Sequence, residues 1–120
     1  MVWIRYGSLL MFIGVALGAF GAHALKDWLS VEQMRIYQIA VIYQLVHGLG
    51  LLIVGCLLML KRHEPLLHRA GWAFFIGIIL FSGSLYVLSI TGIKKLGLIT
   101  PFGGLALLIG WLCLLLSARP

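Results

Sequence analysis

Residues 36–60 read IYQIAVIYQLVHGLGLLIVGCLLML, 25 consecutive residues without a charge between Arg35 and Lys61. At a rise of about 1.5 Å per residue, a helix of this length exceeds the roughly 30 Å of a bilayer's hydrocarbon layer. The pattern recurs along the chain. Uncharged stretches of 20 residues lie between Arg5 and Lys26, of 24 between Arg69 and Lys94, and of 23 between Lys95 and Arg119. Hydrophobic residues make up 62% of the 120 and charged residues only 10%, too little polar surface to face water. The reading is an all-α membrane protein, a four-transmembrane-helix antiparallel bundle in one domain, residues 1–120. Its helices fall at about 6–25, 31–60, 70–92 and 101–118, and its solvent is the lipid bilayer.

The connections are short, which forces successive helices antiparallel. Ser30-Val31-Glu32-Gln33 has the capping-box pattern, so the second helix is expected to start near Val31. Pro65 suits a turn or a fresh helix start. Thr100-Pro101 reads as N-cap and first helical residue of the fourth helix. The N-terminal segment has the outline of a signal peptide, with Arg5, apolar residues 8–20 and Ala22-His23-Ala24. It is read here as a retained first transmembrane helix.

The net charge of +6 arises from nine Lys and Arg against three acids, set between apolar stretches as loops and headgroup anchors are. No basic run with interleaved aromatics points to nucleic acid. With four spans, Arg5, Lys61, Arg62, Arg69 and Arg119 share one side, and Lys26, Arg35, Lys94 and Lys95 the other. Five against four leans towards both termini in the cytoplasm of a bacterial inner membrane.

Gly14, Gly18 and Ala22 recur every fourth residue on the first helix, with Gly21 widening the same smooth region. Small residues at this spacing let backbones approach closely in lipid, either within the bundle or in a dimer. On the second helix Tyr37, Gln44 and His47 form an interrupted polar stripe flanked by Tyr43. His47 lies close to mid-span, where an ionisable residue is a functional candidate; the alternative is a neutral ring bonded across helices. His23 sits at the interface end of the first helix. Ser82, Ser84 and Tyr86 follow one another on the third, and their hydroxyls suit bonds to the preceding turn or to a neighbouring helix.

No Asp or Glu falls inside any of the four uncharged stretches. That leaves only His47 and His23 for proton coupling, and a poor ligand set for a metal. Cys56 and Cys113 read as apolar packing residues. Leu80-Phe81-Ser82-Gly83 lacks the leading glycine of a rhomboid-type protease motif, so no catalytic residue, metal or cofactor is assigned and the chain is read as a non-enzyme.

Four segments together carry a resemblance: Gly18-Ala19-Phe20-Gly21-Ala22-His23, Tyr43-Gln44-Leu45-Val46-His47, Leu80-Phe81-Ser82-Gly83-Ser84-Leu85-Tyr86, and Thr100-Pro101-Phe102-Gly103-Gly104 with Gly110-Trp111. In this order and spacing the chain resembles the small bacterial inner-membrane family called domain of unknown function 423, related to the eukaryotic transmembrane protein 256. The match touches all four helices. It implies a four-helix membrane protein and no particular activity.

Placed by depth, His23, Tyr43, Gln44, His47, Ser82, Ser84, Tyr86 and Thr100 all fall in one half of the bilayer, the outer half if the termini are inside. Such a cluster is either a glue layer or a shallow pocket opening outward. Two functions remain: an accessory or assembly subunit whose partner is another membrane protein or itself, or a carrier of a small solute or ion using the polar cluster.

Overall fold

The structure, a computed structural model, describes residues 1–120 and contains four long helices and no strand. They are α1 (Val2–Phe20), α2 (Val31–Leu60), α3 (Pro65–Thr91) and α4 (Thr100–Ser117). A π-helical turn, Gly21–Leu25, extends α1, and a 3₁₀ turn, Lys94–Leu98, precedes α4. With these turns included, all four are long and apolar enough to cross a membrane. The bundle measures 50 × 26 × 18 Å.

Local chemistry explains most of the helix ends. At α2 the capping box forms as expected: the Gln33 amide donates to Ser30 Oγ at 3.1 Å, and the Ser30 amide to Gln33 Oε1 at 2.9 Å. Helix α3 starts at Pro65, five residues before the expected position, because Glu64 caps it by accepting from the Leu66 amide at 3.3 Å. Proline's fixed φ and missing N–H suit that first turn. The helix ends on Gly92, whose φ of 71° is the left-handed conformation that glycine adopts freely.

Thr100 departs from expectation. The 3₁₀ turn runs into α4 through Ile99, which is itself helical (φ −79°, ψ −35°), so no extended residue precedes the helix to act as a side-chain cap. The Thr100 hydroxyl bonds elsewhere.

Successive helices pack antiparallel on glycines, because lipid supplies no hydrophobic drive and close backbone contact must hold the pairs. Along α1 and α2, Gly7 faces the Gly48 carbonyl, Gly14 faces Leu45 and Gln44, Gly18 faces Val41, and Gly21 faces the Tyr37 ring. The glycine face is therefore spent inside the bundle. Ala22 does not belong to it; it is exposed, since the π-helical turn widens the repeat just where a four-residue spacing would have kept it in line. Gly50 lies under Phe74 between α2 and α3. At the α3–α4 seam Gly77 receives Leu107, Gly110 receives the Phe74 ring, and Gly103 lies directly against the backbone of Phe81.

The halves of the bundle differ. Near the termini the core is apolar, with Trp3, Leu51, Val54, Leu67, Phe74, Ile78 and Leu107 in one buried cluster. Trp3 reaches across to Gly71 and meets Trp72 edge-on, ring centres 5.2 Å apart, joining α1 to α3. Towards the α1–α2 turn the buried residues become polar.

Candidate functional site

Gln44 organises that polar half. Its Nε2 donates to the Leu10 carbonyl on α1 at 2.8 Å, and its Oε1 accepts from the Tyr86 hydroxyl on α3 at 2.6 Å. One nearly fully buried amide so ties three helices. Close by, the Tyr37 hydroxyl donates to the Leu17 carbonyl at 2.5 Å, and the rings of Tyr37 and Tyr86 meet edge-on at 5.4 Å. Ser82 Oγ donates to the Ala40 carbonyl at 2.8 Å, joining α3 to α2. Ser84 Oγ donates to the Phe81 carbonyl at 3.0 Å and lies 2.6 Å from Thr100 Oγ1, joining α3 to α4. Bonds of this kind hold helices where lipid offers no competing partner, at about 0.6 to 2 kcal/mol each.

The expected grouping therefore divides. Gln44, Tyr86, Ser82, Ser84 and Thr100 meet their neighbours and form glue. His23 does not join them: it is exposed on the π-helical turn and its side chain makes no hydrogen bond within the protein. His47 does face inwards, only 7% exposed, but it bonds to none of Ser82, Ser84 or Tyr86. Its Nδ1 lies 2.7 Å from the carbonyl of Tyr43, one turn back on its own helix. The hydroxyls of Tyr86, Ser82 and Ser84 are already taken by Gln44, Ala40 and Thr100.

A carbonyl only accepts, so Nδ1 carries the proton, and in the neutral ring Nε2 keeps its lone pair. Nε2 has no partner in the protein, yet it is not among the fully occluded unpaired atoms. His47 lines a cleft of about 730 Å³ between α2 and α4, walled at the back by Phe81 of α3. The cleft exists because α2 and α4 both pack on α3 and share no seam of their own. Aromatic rings surround the imidazole: Trp111 at 5.7 Å, Phe74 at 5.8 Å and Tyr43 stacked at 5.8 Å. Tyr43 in turn stacks on Phe81 at 4.4 Å. Tyr43 is thus half-exposed on the cleft wall, outside the bonded layer, and its hydroxyl has no partner.

Sequence reasoning did not single out Trp111 or Gly104, which line this cleft. The signal was present in the Gly103-Gly104 and Gly110-Trp111 pairs, but nothing in one dimension says that these face His47. Elsewhere, no three His, Cys, Asp or Glu side chains come together.

Comparison with known proteins finds a family and relatives named as membrane proteins. The profile of a family described as "Protein of unknown function (DUF423)" matches residues 17–104. A "UPF0382 membrane protein" of Staphylococcus epidermidis is 47% identical over 116 residues, covering 97% of this chain and 93% of that protein. "UPF0382 membrane protein SH2409" of Staphylococcus haemolyticus is 45% identical over the same coverage. "UPF0382 membrane protein YwdK" of Bacillus subtilis is 41% identical over 117 residues, 98% of this chain and 95% of that protein. No solved structure matches.

Proposed function

The chain belongs to the DUF423 family, and we propose that it works as a non-enzymatic subunit of a bacterial inner membrane, binding another membrane protein or a second copy of itself. Both termini and the α2–α3 turn would face the cytoplasm, with Lys61, Arg62 and Arg69 exposed at that turn.

The observation that carries this reading is how the bundle spends its intramembrane polar groups. Gln44, Tyr86, Tyr37, Ser82, Ser84 and Thr100 are all occupied in holding helices together. A hydrolase needs a hydroxyl whose proton a base can take. Here Ser82 and Ser84 donate to carbonyl oxygens, and neither is hydrogen-bonded to His47. The carrier alternative would need polar groups in succession through both halves, yet the terminal half is closed by the Trp3–Leu51–Phe74 cluster. What remains available for action is the His47 cleft and the outer surface, with side chains such as Phe12, Phe102 and Leu115 turned outwards.

Purification in mild detergent tests the proposal. A stoichiometric membrane-protein partner, or a defined homo-oligomer, is the expected result. A monodisperse monomer that catalyses solute flux in vesicles would replace this reading with the carrier.

A further inference from the structure

We propose that the α2–α4 cleft is a binding site for a hydroquinone-headed lipid, held by a hydrogen bond from a ring hydroxyl to His47 Nε2. This goes beyond the subunit role and does not depend on which protein partner is bound.

Four observations fix the chemistry of the occupant. First, a cleft of about 730 Å³ is of the size that small-molecule sites take. It is open on one side and lined mainly by apolar side chains, so its ligand arrives from the lipid phase. Second, no Lys, Arg, Asp or Glu lines it. His47 lies about 24 Å along a helix about 45 Å long, close to mid-bilayer. A phosphate or carboxylate head would be uncompensated there, which excludes the charged heads of phospholipids and ionised fatty acids from the cleft. Third, the walls are rings: Tyr43 stacked on Phe81 at one side and Trp111 edge-on to His47 at the other. A planar head uses such walls, where an aliphatic alcohol would not. Fourth, Tyr43's carbonyl holds the Nδ1 proton, so the neutral imidazole, which lines the cleft, keeps Nε2 as an acceptor.

That last point sets a redox preference in binding. A hydroquinone hydroxyl donates to the free lone pair. The oxidised quinone has only acceptor oxygens, which would oppose Nε2 lone pair to lone pair. The Tyr43 hydroxyl can donate or accept and so serves either form, and it is His47 that selects the reduced one.

The test uses the full chain in lipid nanodiscs with radiolabelled 2-decyl-1,4-hydroquinone and 2-decyl-1,4-benzoquinone. The reduced probe should bind once per chain and about tenfold more tightly than the oxidised one, the scale of one hydrogen bond. His47→Phe keeps an aromatic ring but removes the acceptor and should bring that ratio close to one, while Tyr6→Phe, outside the cleft, should leave it in place. Gly104→Leu should abolish binding of both probes. Its Cβ would sit 3.7 Å from Phe81, so the helix seam has room and the larger side chain projects where the ligand lies. Should Gly104→Leu fail to fold, Leu108→Trp at the exposed cleft wall serves the same purpose. Equal binding of the two forms, a preference that survives His47→Phe, or no binding at all would overturn the proposal. So would cross-links from position 108 to a partner's transmembrane helix that neither probe displaces.

Discussion

The Tyr86 hydroxyl donates to Gln44 Oε1 across the α2–α3 seam at 2.6 Å, while the same amide donates onward to the Leu10 carbonyl on α1. Three helices are thus coupled through a side chain only 3% exposed. In lipid the separated groups would have no water to turn to.

Gln44→Leu should destabilise the bundle by about 1–3 kcal/mol, since it leaves the Tyr86 hydroxyl without its partner. Tyr86→Phe should cost less, about 0.5–1.5 kcal/mol, because the Gln44 bond to Leu10 survives. The two losses should not add in the double variant, as expected for residues sharing one bond. Reversible unfolding in mixed micelles measures all three.

His47→Leu should behave differently. Its hydrogen bond stays within α2, so no helix seam depends on it, and the loss should be about 1 kcal/mol or less. A loss as large as that for Gln44→Leu would show that His47 carries an interhelical role that the geometry does not give it.

Glycine substitutions should separate by position. Gly103→Ala sets a methyl group into the backbone of Phe81 and should force α4 off α3, costing about 2 kcal/mol or more. Gly83→Ala has nothing within 4 Å of the added carbon and should be neutral or stabilise the helix by up to about 1 kcal/mol. Parallel thermal unfolding curves decide this, and equal effects would contradict the seam described here.

Gly14→Leu tests whether the first-helix face is internal. A leucine there drives into Leu45 and Gln44, so stability should fall while the size of any native oligomer stays that of the native chain. A change in oligomer size without a stability loss would place this face at an intermolecular contact.

Reporter fusions at Pro120 should read cytoplasmic and fusions near Asp27 should read external, following the five basic residues against four. A mixed signal at both sites would indicate dual insertion.

The sequence by itself determined four spans, their antiparallel order, the Ser30 capping box and the crowding of polar residues into one half of the bilayer. These follow from sums over neighbouring residues: transfer free energies along a window, a cap closing within one turn, depth counted at a fixed rise. The tertiary structure alone decided which polar groups meet. Gln44 and His47 lie three residues apart, yet one ties three helices and the other lines a cleft with its Nε2 unpaired. That division depends on how each helix is rotated about its axis and how closely its neighbours approach. Both are set by contacts such as Gly103 on Phe81 and Gly14 on Leu45, between residues more than twenty positions apart. Ala22 and Thr100 show the same limit at helix ends. A π-helical turn and a 3₁₀ entry, neither marked in the local pattern, turned one outwards and gave the other to Ser84.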